Sequence, residues 1–292
     1  MVVLAISTVI VLSACERPSP RQDDDKTKET NQVETPLTQP LPDAEVQAIL
    51  KQFPGAVPYR EGSDSLLSKL KAFGIPTSSL LWGQSTCMDD IISTKNKLAP
   101  GIKGPFNFGG LAGLPFTGVA GLDAFAHHVP EDGAAVLFVG PHIGYNGSEG
   151  WGKILRHDQH HPSACCGALA AALAKLRKGE LKPMAPGKDD YQEQTLEQLA
   201  YTHRDKILAS TEPLVTLTQL TYEDAIKTLS DYASKVRERH FKYAVVVGAI
   251  IINTDYMYND YVWIENVSIL DIQKNVWVLG GRPTVAKQQL NR

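Results

Sequence analysis

Cys87, His142 and Cys166 are the residues whose types suit a common task, the binding of a transition metal. Two thiolates and one imidazole are ligands that zinc accepts. Three protein ligands leave a fourth tetrahedral position for water, the arrangement of a catalytic site rather than a structural one. The other two cysteines are Cys15 and Cys165. Four thiols this unevenly placed do not make a disulfide framework, and a ring closed between the adjacent Cys165 and Cys166 is strained, so the thiols call for another use. The tight Cys-x-x-Cys pairs of structural zinc knuckles are absent from the sequence.

The elements that must carry these residues can be read from hydrophobic patterning. Residues 80–83 (LLWG) form a short buried strand that leads to Cys87, and residues 134–139 (AAVLFV) form a second that runs into Gly140-Pro141-His142. Ser163 is a helix cap, and the spacing predicts a helix over 164–177, so that Cys166 lies at its opening. Ends of strands and starts of helices are where α/β proteins place their sites. Helical spacing recurs over 43–53, 62–73 and, as two or three amphipathic helices, over 191–238. Residues 106–122 are glycine-rich and apolar and read as a structured loop. Residues 243–253, 261–270 and 275–279 read as strands. Strands alternating with helices indicate an α/β fold with a central sheet flanked by helices. No internal repeat is present.

The chain has 292 residues, of which 43% are hydrophobic, with a net charge of -3. That is ample for a core, and without a basic excess nucleic acid is not a partner. The start of the chain reads as an address. Residues 2–14 are an apolar run, too short to span a bilayer, that ends in Leu12-Ser13-Ala14-Cys15. This resembles the lipobox of bacterial lipoproteins, in which the cysteine is lipidated, although no Lys or Arg precedes Cys15. Residues 16–42 are polar and Pro-rich, cannot bury enough surface to offset their chain entropy, and read as a disordered linker. The expected organisation is a signal peptide over 1–15, a linker over 16–42 and one zinc domain over 43–292. The expected location is exported and lipid-anchored at Cys15 to a bacterial membrane, on its periplasmic or cell-surface side. In that setting the glycosylation sequons at Asn146 and Asn266 carry no weight.

Around the three ligands the local sequence resembles the limiting-CO2-inducible protein B/C family, relatives of the β- and θ-class carbonic anhydrases. The matching stretches are Cys87-Met88-Asp89-Asp90, GGLAGLPFTG (109–118), AFAHHVP (124–130), GPHIGY (140–145), WGKILR (151–156) and CCGA (165–168), in the family's order. The glycine-rich member of this set is not a nucleotide loop, since it lacks the GxGxxG spacing. The resemblance implies a β-carbonic anhydrase-like fold, usually a homodimer, and zinc held by Cys87, His142 and Cys166. It selects Cys166 over Cys165 because the family's ligand directly precedes Gly-Ala. The implied activity is reversible hydration of CO2 to bicarbonate, with zinc lowering the pKa of its water so that hydroxide forms near neutral pH.

Two thiolates neutralise zinc and acidify its water less than imidazoles would, so surrounding groups must compensate. In the β-type site an Asp two residues after the first Cys accepts a hydrogen bond from the hydroxide and is held by an Arg. Asp89 occupies the Asp position. The resemblance places the Arg at position 119, within a loop formed by TGVAG, where this chain has Val119. An Asp89 with no ion-pair partner would swing onto zinc and close the site. Arg156 lies between the second and third ligands and is the alternative source of that charge, its other role being surface solvation. His127, His128, His157, His160 and His161 are candidates for proton transfer, with the first two read as structural and the rest as exposed. Leu114, Phe116 and Tyr145 either line a CO2 pocket or belong to the core. Besides the carbonic anhydrase reading stand a non-catalytic zinc-bearing member that binds CO2, bicarbonate or a protein, with Asp89 closing the site, and a different zinc hydrolase on the same ligands.

Overall fold

The computed structural model describes residues 39–95 and 102–281. The expected signal peptide, Cys15 and all but the end of the expected linker lie outside these residues. That end is packed: the Gln39 N–H donates to the Met257 carbonyl at 2.8 Å, and Leu41 is buried.

The chain opens with α1 (Asp43–Gln52), β1 (Val57–Pro58) and α2 (Tyr59–Ala72), then enters the centre of the molecule through β2 (Leu80–Thr86). After α3 (Asp90–Lys95) and β3 (Lys103–Asn107) come α4 (Gly118–Ala126) and β4 (Ala134–Gly140). A group of short strands follows: β5 (His142–Asn146), β6 (Gly150–Trp151), β7 (Lys153–Ile154) and β8 (Ser163–Ala164). Four helices then run in succession, α5 (Gly167–Arg177), α6 (Tyr191–Thr202), α7 (Arg204–Ala209) and α8 (Pro213–Ala233). The chain returns to the sheet in β9 (Tyr243–Asn253), β10 (Tyr261–Asp271) and β11 (Val276–Leu279).

The main sheet has the order β1-β10-β9-β4-β2-β3, with β11 on β10 and β5 on β9. It is mixed. β3, β2, β4, β9 and β5 pair in parallel, and β10 is antiparallel to β9. The α/β fold expected from the sequence, a central sheet flanked by helices, is the one found. The buried strands β4 (AAVLFVG) and β9 (YAVVVGAIIIN) are continuous apolar runs, as a sheet covered on both faces requires. Helices pack closely on it: a Cβ at Gly248 of β9 would stand 2.3 Å from Ile226 of α8, and one at Gly62 of α2 would stand 2.4 Å from Val262 of β10. Among the described residues no helix is long and apolar enough to cross a membrane.

Two differences from the sequence expectations bear on the site. The TGVAG stretch is not a loop but the start of α4, whose two glycines mask its helical character, and Val119 sits half-buried in its first turn. The predicted helix over 164–177 begins at Gly167, because Ser163 and Ala164 pair with Ile154 and Lys153 as β8 on β7.

Candidate metal centre

The sheet register brings the three predicted ligands together. Thr86, the last residue of β2, is in register with Gly140, the last of β4. Cys87 follows the first and His142 the second, across the Pro141 break, so both leave the sheet at the same end. His142 then continues in register with Ile251 of β9. Cys166 is the extended residue before α5. The loop 108–116 closes against this end. Ser85 donates to the Gly113 carbonyl at 2.8 Å, and Gly113 has φ +79° and stands where a Cβ would lie 3.1 Å from Pro141 and 3.4 Å from the Cys87 nitrogen. A left-handed residue this close to two other chain segments has to be glycine.

The Cys87 and Cys166 sulfurs are 3.6 Å apart, and one ligand atom from each of Cys87, His142 and Cys166 lies within 4.8 Å of the others. Two thiolates on a tetrahedral zinc, each at about 2.3 Å, stand roughly 3.8 Å apart. The third candidate ligand atom is His142 Nε2, which is buried and has no hydrogen-bond partner among the described residues. Nδ1 is engaged, 2.8 Å from Asn253 Oδ1. A buried ring nitrogen without a partner is costly, and one aimed beside two thiols fits a metal. Asp89, His142 and Cys165 form a second close group. In it Asp89 lies 3.9 Å from Nε2 and the Cys165 sulfur 3.5 Å from Nδ1.

The electrostatics of the cluster divide the thiols by role. The hydrogen bond with Cys166 lowers the Cys87 thiol to about 4 against the effect of burial, and His142 and the Asp89 backbone N–H act in the same direction. That contact and burial push Cys166 well up, and burial pushes Cys165 up. Burial disfavours the charged ring of His142, but the neighbouring sulfurs of Cys165, Cys166 and Cys87 outweigh it and raise this residue well above the ordinary histidine value.

Asp89 and Arg156 meet beside the ligands. Arg156 Nη2 donates to both Asp89 oxygens, at 3.1 and 3.2 Å, while its Nη1 donates to Ser163 Oγ at 2.7 Å and the Ala164 carbonyl at 3.1 Å. Burial works against the Asp89 carboxylate, but hydrogen bonding with Asp90, the His142 charge and Arg156 hold it below the usual carboxylate range. Arg156 thus supplies to Asp89 the cationic partner that Val119 cannot.

The remaining predicted residues fall outside this cluster. His127 and His128 are exposed at the end of α4, correcting their structural reading, and His127 lies 3.6 Å from Glu238. His157, His160 and His161 are exposed as expected. Leu114 is buried core, Phe116 meets the Tyr191 ring, and Tyr145 packs edge-on against Trp151. Three residues were missed: Asn253 and Asp260, which extend the hydrogen-bond chain behind His142, and Asp255, which accepts the Leu155 N–H at 2.7 Å directly before Arg156. All three lie in the polar stretch NTDYMYND between two strands, the one local signal of their presence.

Residues 56–271 match the family model described as limiting CO2-inducible proteins B/C beta carbonic anhydrases. Among solved structures, PtLCIB4, a homolog of the limiting CO2-inducible protein LCIB, is 26% identical with a TM-score of 0.70, over 80% of this chain and 98% of its own. LCIB itself is 20% identical with a TM-score of 0.61, over 79% of this chain and 96% of its own, a likeness of fold. No curated protein matches the chain.

Proposed function

Because the chain belongs to the family of limiting CO2-inducible proteins B/C and β-carbonic anhydrases, we propose that it is a zinc-dependent carbonic anhydrase that reversibly hydrates CO2 to bicarbonate and a proton. Cys87, Cys166 and Nε2 of His142 would hold the metal. When bound, zinc supplies the Lewis acidity that makes a water nucleophilic near neutral pH.

The observation that carries the reading is the two-point contact between Arg156 and Asp89. It holds the carboxylate 3.9 Å from His142 Nε2, where it would accept a hydrogen bond from a water brought to the site and would be restrained from ligating the metal itself. Asp89 thereby acts as the acceptor that orients the attacking water. The same short distance favours a second reading, a non-catalytic zinc protein in which Asp89 becomes the fourth ligand. A stopped-flow measurement of CO2 hydration on protein loaded with one zinc per chain separates the two, with rates well above buffer across neutral pH expected. Cys87→Ser and Cys166→Ser should each lose the zinc, and Cys165→Ser should keep it. A protein loaded with one zinc per chain but with no CO2 hydration at any pH would establish the closed site.

The apolar start and the Leu12-Ser13-Ala14-Cys15 sequence support a lipid anchor at Cys15, placing the domain on a bacterial membrane after export. Full-length protein should partition with membranes, and Cys15→Ser should release it. The family likeness supports a homodimer, to be read from the mass in solution.

A further inference from the structure

We infer that Asp260, acting through Asn253, sets the tautomer of His142 and so makes Nε2 a ligand. This rests on the metal reading of the site and adds to it two positioning residues, Asn253 at the end of β9 and Asp260 on the connection to β10. A neutral imidazole carries one hydrogen, and the partner of one nitrogen decides which nitrogen keeps a lone pair. The nearer partner of Nδ1 is Asn253, at 2.8 Å against 3.5 Å for the Cys165 sulfur, and an amide is itself two-faced: its oxygen accepts, its nitrogen donates, and the two ends are nearly alike in shape. If the oxygen faces Nδ1, the ring hydrogen sits there and Nε2 is free to ligate. If the nitrogen faces Nδ1, the hydrogen moves to Nε2 and the ligand is lost.

Asp260 removes the ambiguity because a carboxylate only accepts. Its Oδ2 is 2.8 Å from Asn253 Nδ2, which must therefore be the donating end. Its other oxygen accepts the Thr254 N–H at 2.9 Å, and Thr254 Oγ1 lies 3.4 Å from it. Those contacts keep the carboxylate in place. The Cys165 sulfur, 3.6 Å from Asn253 Oδ1 and 3.5 Å from His142 Nδ1, fits either orientation of the amide because a thiol can donate or accept, so the orientation rests on Asp260. Asn253 is 0% and Asp260 4% exposed, so no bulk water is at hand to satisfy a reversed amide, and a reversal would set donor against donor. Backbone register supports the arrangement: Asn253 is the last residue of β9, paired with Gly144, two residues after His142.

Asp260→Asn tests the inference, because it keeps the shape but offers a donor as readily as an acceptor. Zinc affinity by chelator competition should fall 10- to 100-fold, the range for a lost outer partner of a metal-bound histidine. In metal-free protein at a pH where the ring is neutral, nitrogen-15 NMR should show His142 with its hydrogen on Nδ1 in the wild type and on both nitrogens, in exchange, in the variant. The reversed pair, Asn253→Asp with Asp260→Asn, restores a carboxylate facing Nδ1 and an amide facing Thr254. It should recover both zinc affinity and the Nδ1–H form, a rescue that tests the inference even if the single variant folds poorly. Wild-type zinc affinity with an unchanged tautomer in folded Asp260→Asn, or a folded reversed pair that restores neither, would overturn the inference. A wild type with the Nδ1–H form that takes up no zinc would overturn the metal reading alone.

Discussion

Arg156 and His142 approach Asp89 from two sides, the guanidinium at 3.1 and 3.2 Å and the imidazole Nε2 at 3.9 Å. On the proposed reading the pairing with Arg156 restrains the carboxylate from ligating the metal, so Arg156→Ala should release it. CO2 hydration should fall at least 10- to 100-fold while zinc remains at one per chain, a split between stoichiometry and rate that stopped-flow and metal analysis read together. Arg156→Lys should recover only part of the rate, because a single ammonium cannot reproduce contacts made simultaneously to both oxygens, Ser163 and Ala164. Val119→Arg should change the rate little, since the position it would serve is already filled; a large gain would show that Arg156 does not perform this role. The pH dependence follows from the sign of the Asp89 shift. Its folded value is lowered, so the stability gained from the pair is fully present above the unfolded value, near 3.9, and is lost as pH falls through the lower folded value. Urea denaturation of metal-free protein should find Arg156→Ala less stable by about 1–3 kcal/mol from pH 5 to 7, and the difference should narrow in stronger acid to what the contacts with Ser163 and Ala164 contribute.

At the scale of elements, the connection between β9 and β10 supports two parts of the site at once. Asp260 steadies His142 through Asn253, and Asp255 accepts the Leu155 N–H and both contacts from Asn146 Nδ2, at 2.9 and 3.0 Å. Leu155 in turn accepts the Tyr256 N–H, so the segment that ends in Arg156 is clamped from both directions. Asp255→Ala leaves the Leu155 N–H without this acceptor. It should cost about 1–3 kcal/mol in unfolding free energy and lower the CO2 hydration rate more than zinc affinity, because it loosens Arg156 rather than a ligand. Equal losses of both would place the role of Asp255 in the fold at large. The strands that carry the ligands were legible in the sequence because they are apolar runs of strand length: residues 134–139 were expected and Ala134–Gly140 found, and residues 243–253 coincide with Tyr243–Asn253. α4 was not legible, because Gly118 and Gly121 suppress its helical signal. Gly121 is there for space, since a Cβ would stand 2.5 Å from Thr117. The partners behind the ligands were not legible either. Asn253 lies far from His142 in the chain and reaches it through the register of β5 on β9, a pairing that no local pattern encodes. The partner of Arg156 was open in the sequence for the same reason, and the fold carries β7 and the loop after it to the end of β2, where Arg156 meets Asp89.

On the scale of the whole molecule, a metal held by Cys87, His142 and Cys166 would tie together segments that fold from distant parts of the chain: the end of β2, the start of β5 and the start of α5. All three ligands are buried. The unfolded chain scatters them and binds metal weakly, so binding free energy is added to folding free energy. At free zinc one hundred times the dissociation constant that linkage amounts to about 2.7 kcal/mol. For a domain of this size each kcal/mol moves the midpoint of thermal unfolding by roughly 2–4 °C. Removing zinc with a chelator should therefore lower Tm by about 5–10 °C in a calorimetric scan, and restoring zinc should recover it. Cys87→Ser should show the lower Tm with or without the chelator, because the linkage is lost with the ligand. Asp260→Asn should fall between the two and respond to added zinc only at higher concentration, since it weakens the site without removing a ligand. A Tm that does not move on chelation of a fully loaded protein would mean that the ion is held by a surface the fold does not need, and Cys87, His142 and Cys166 would then lose their claim to it.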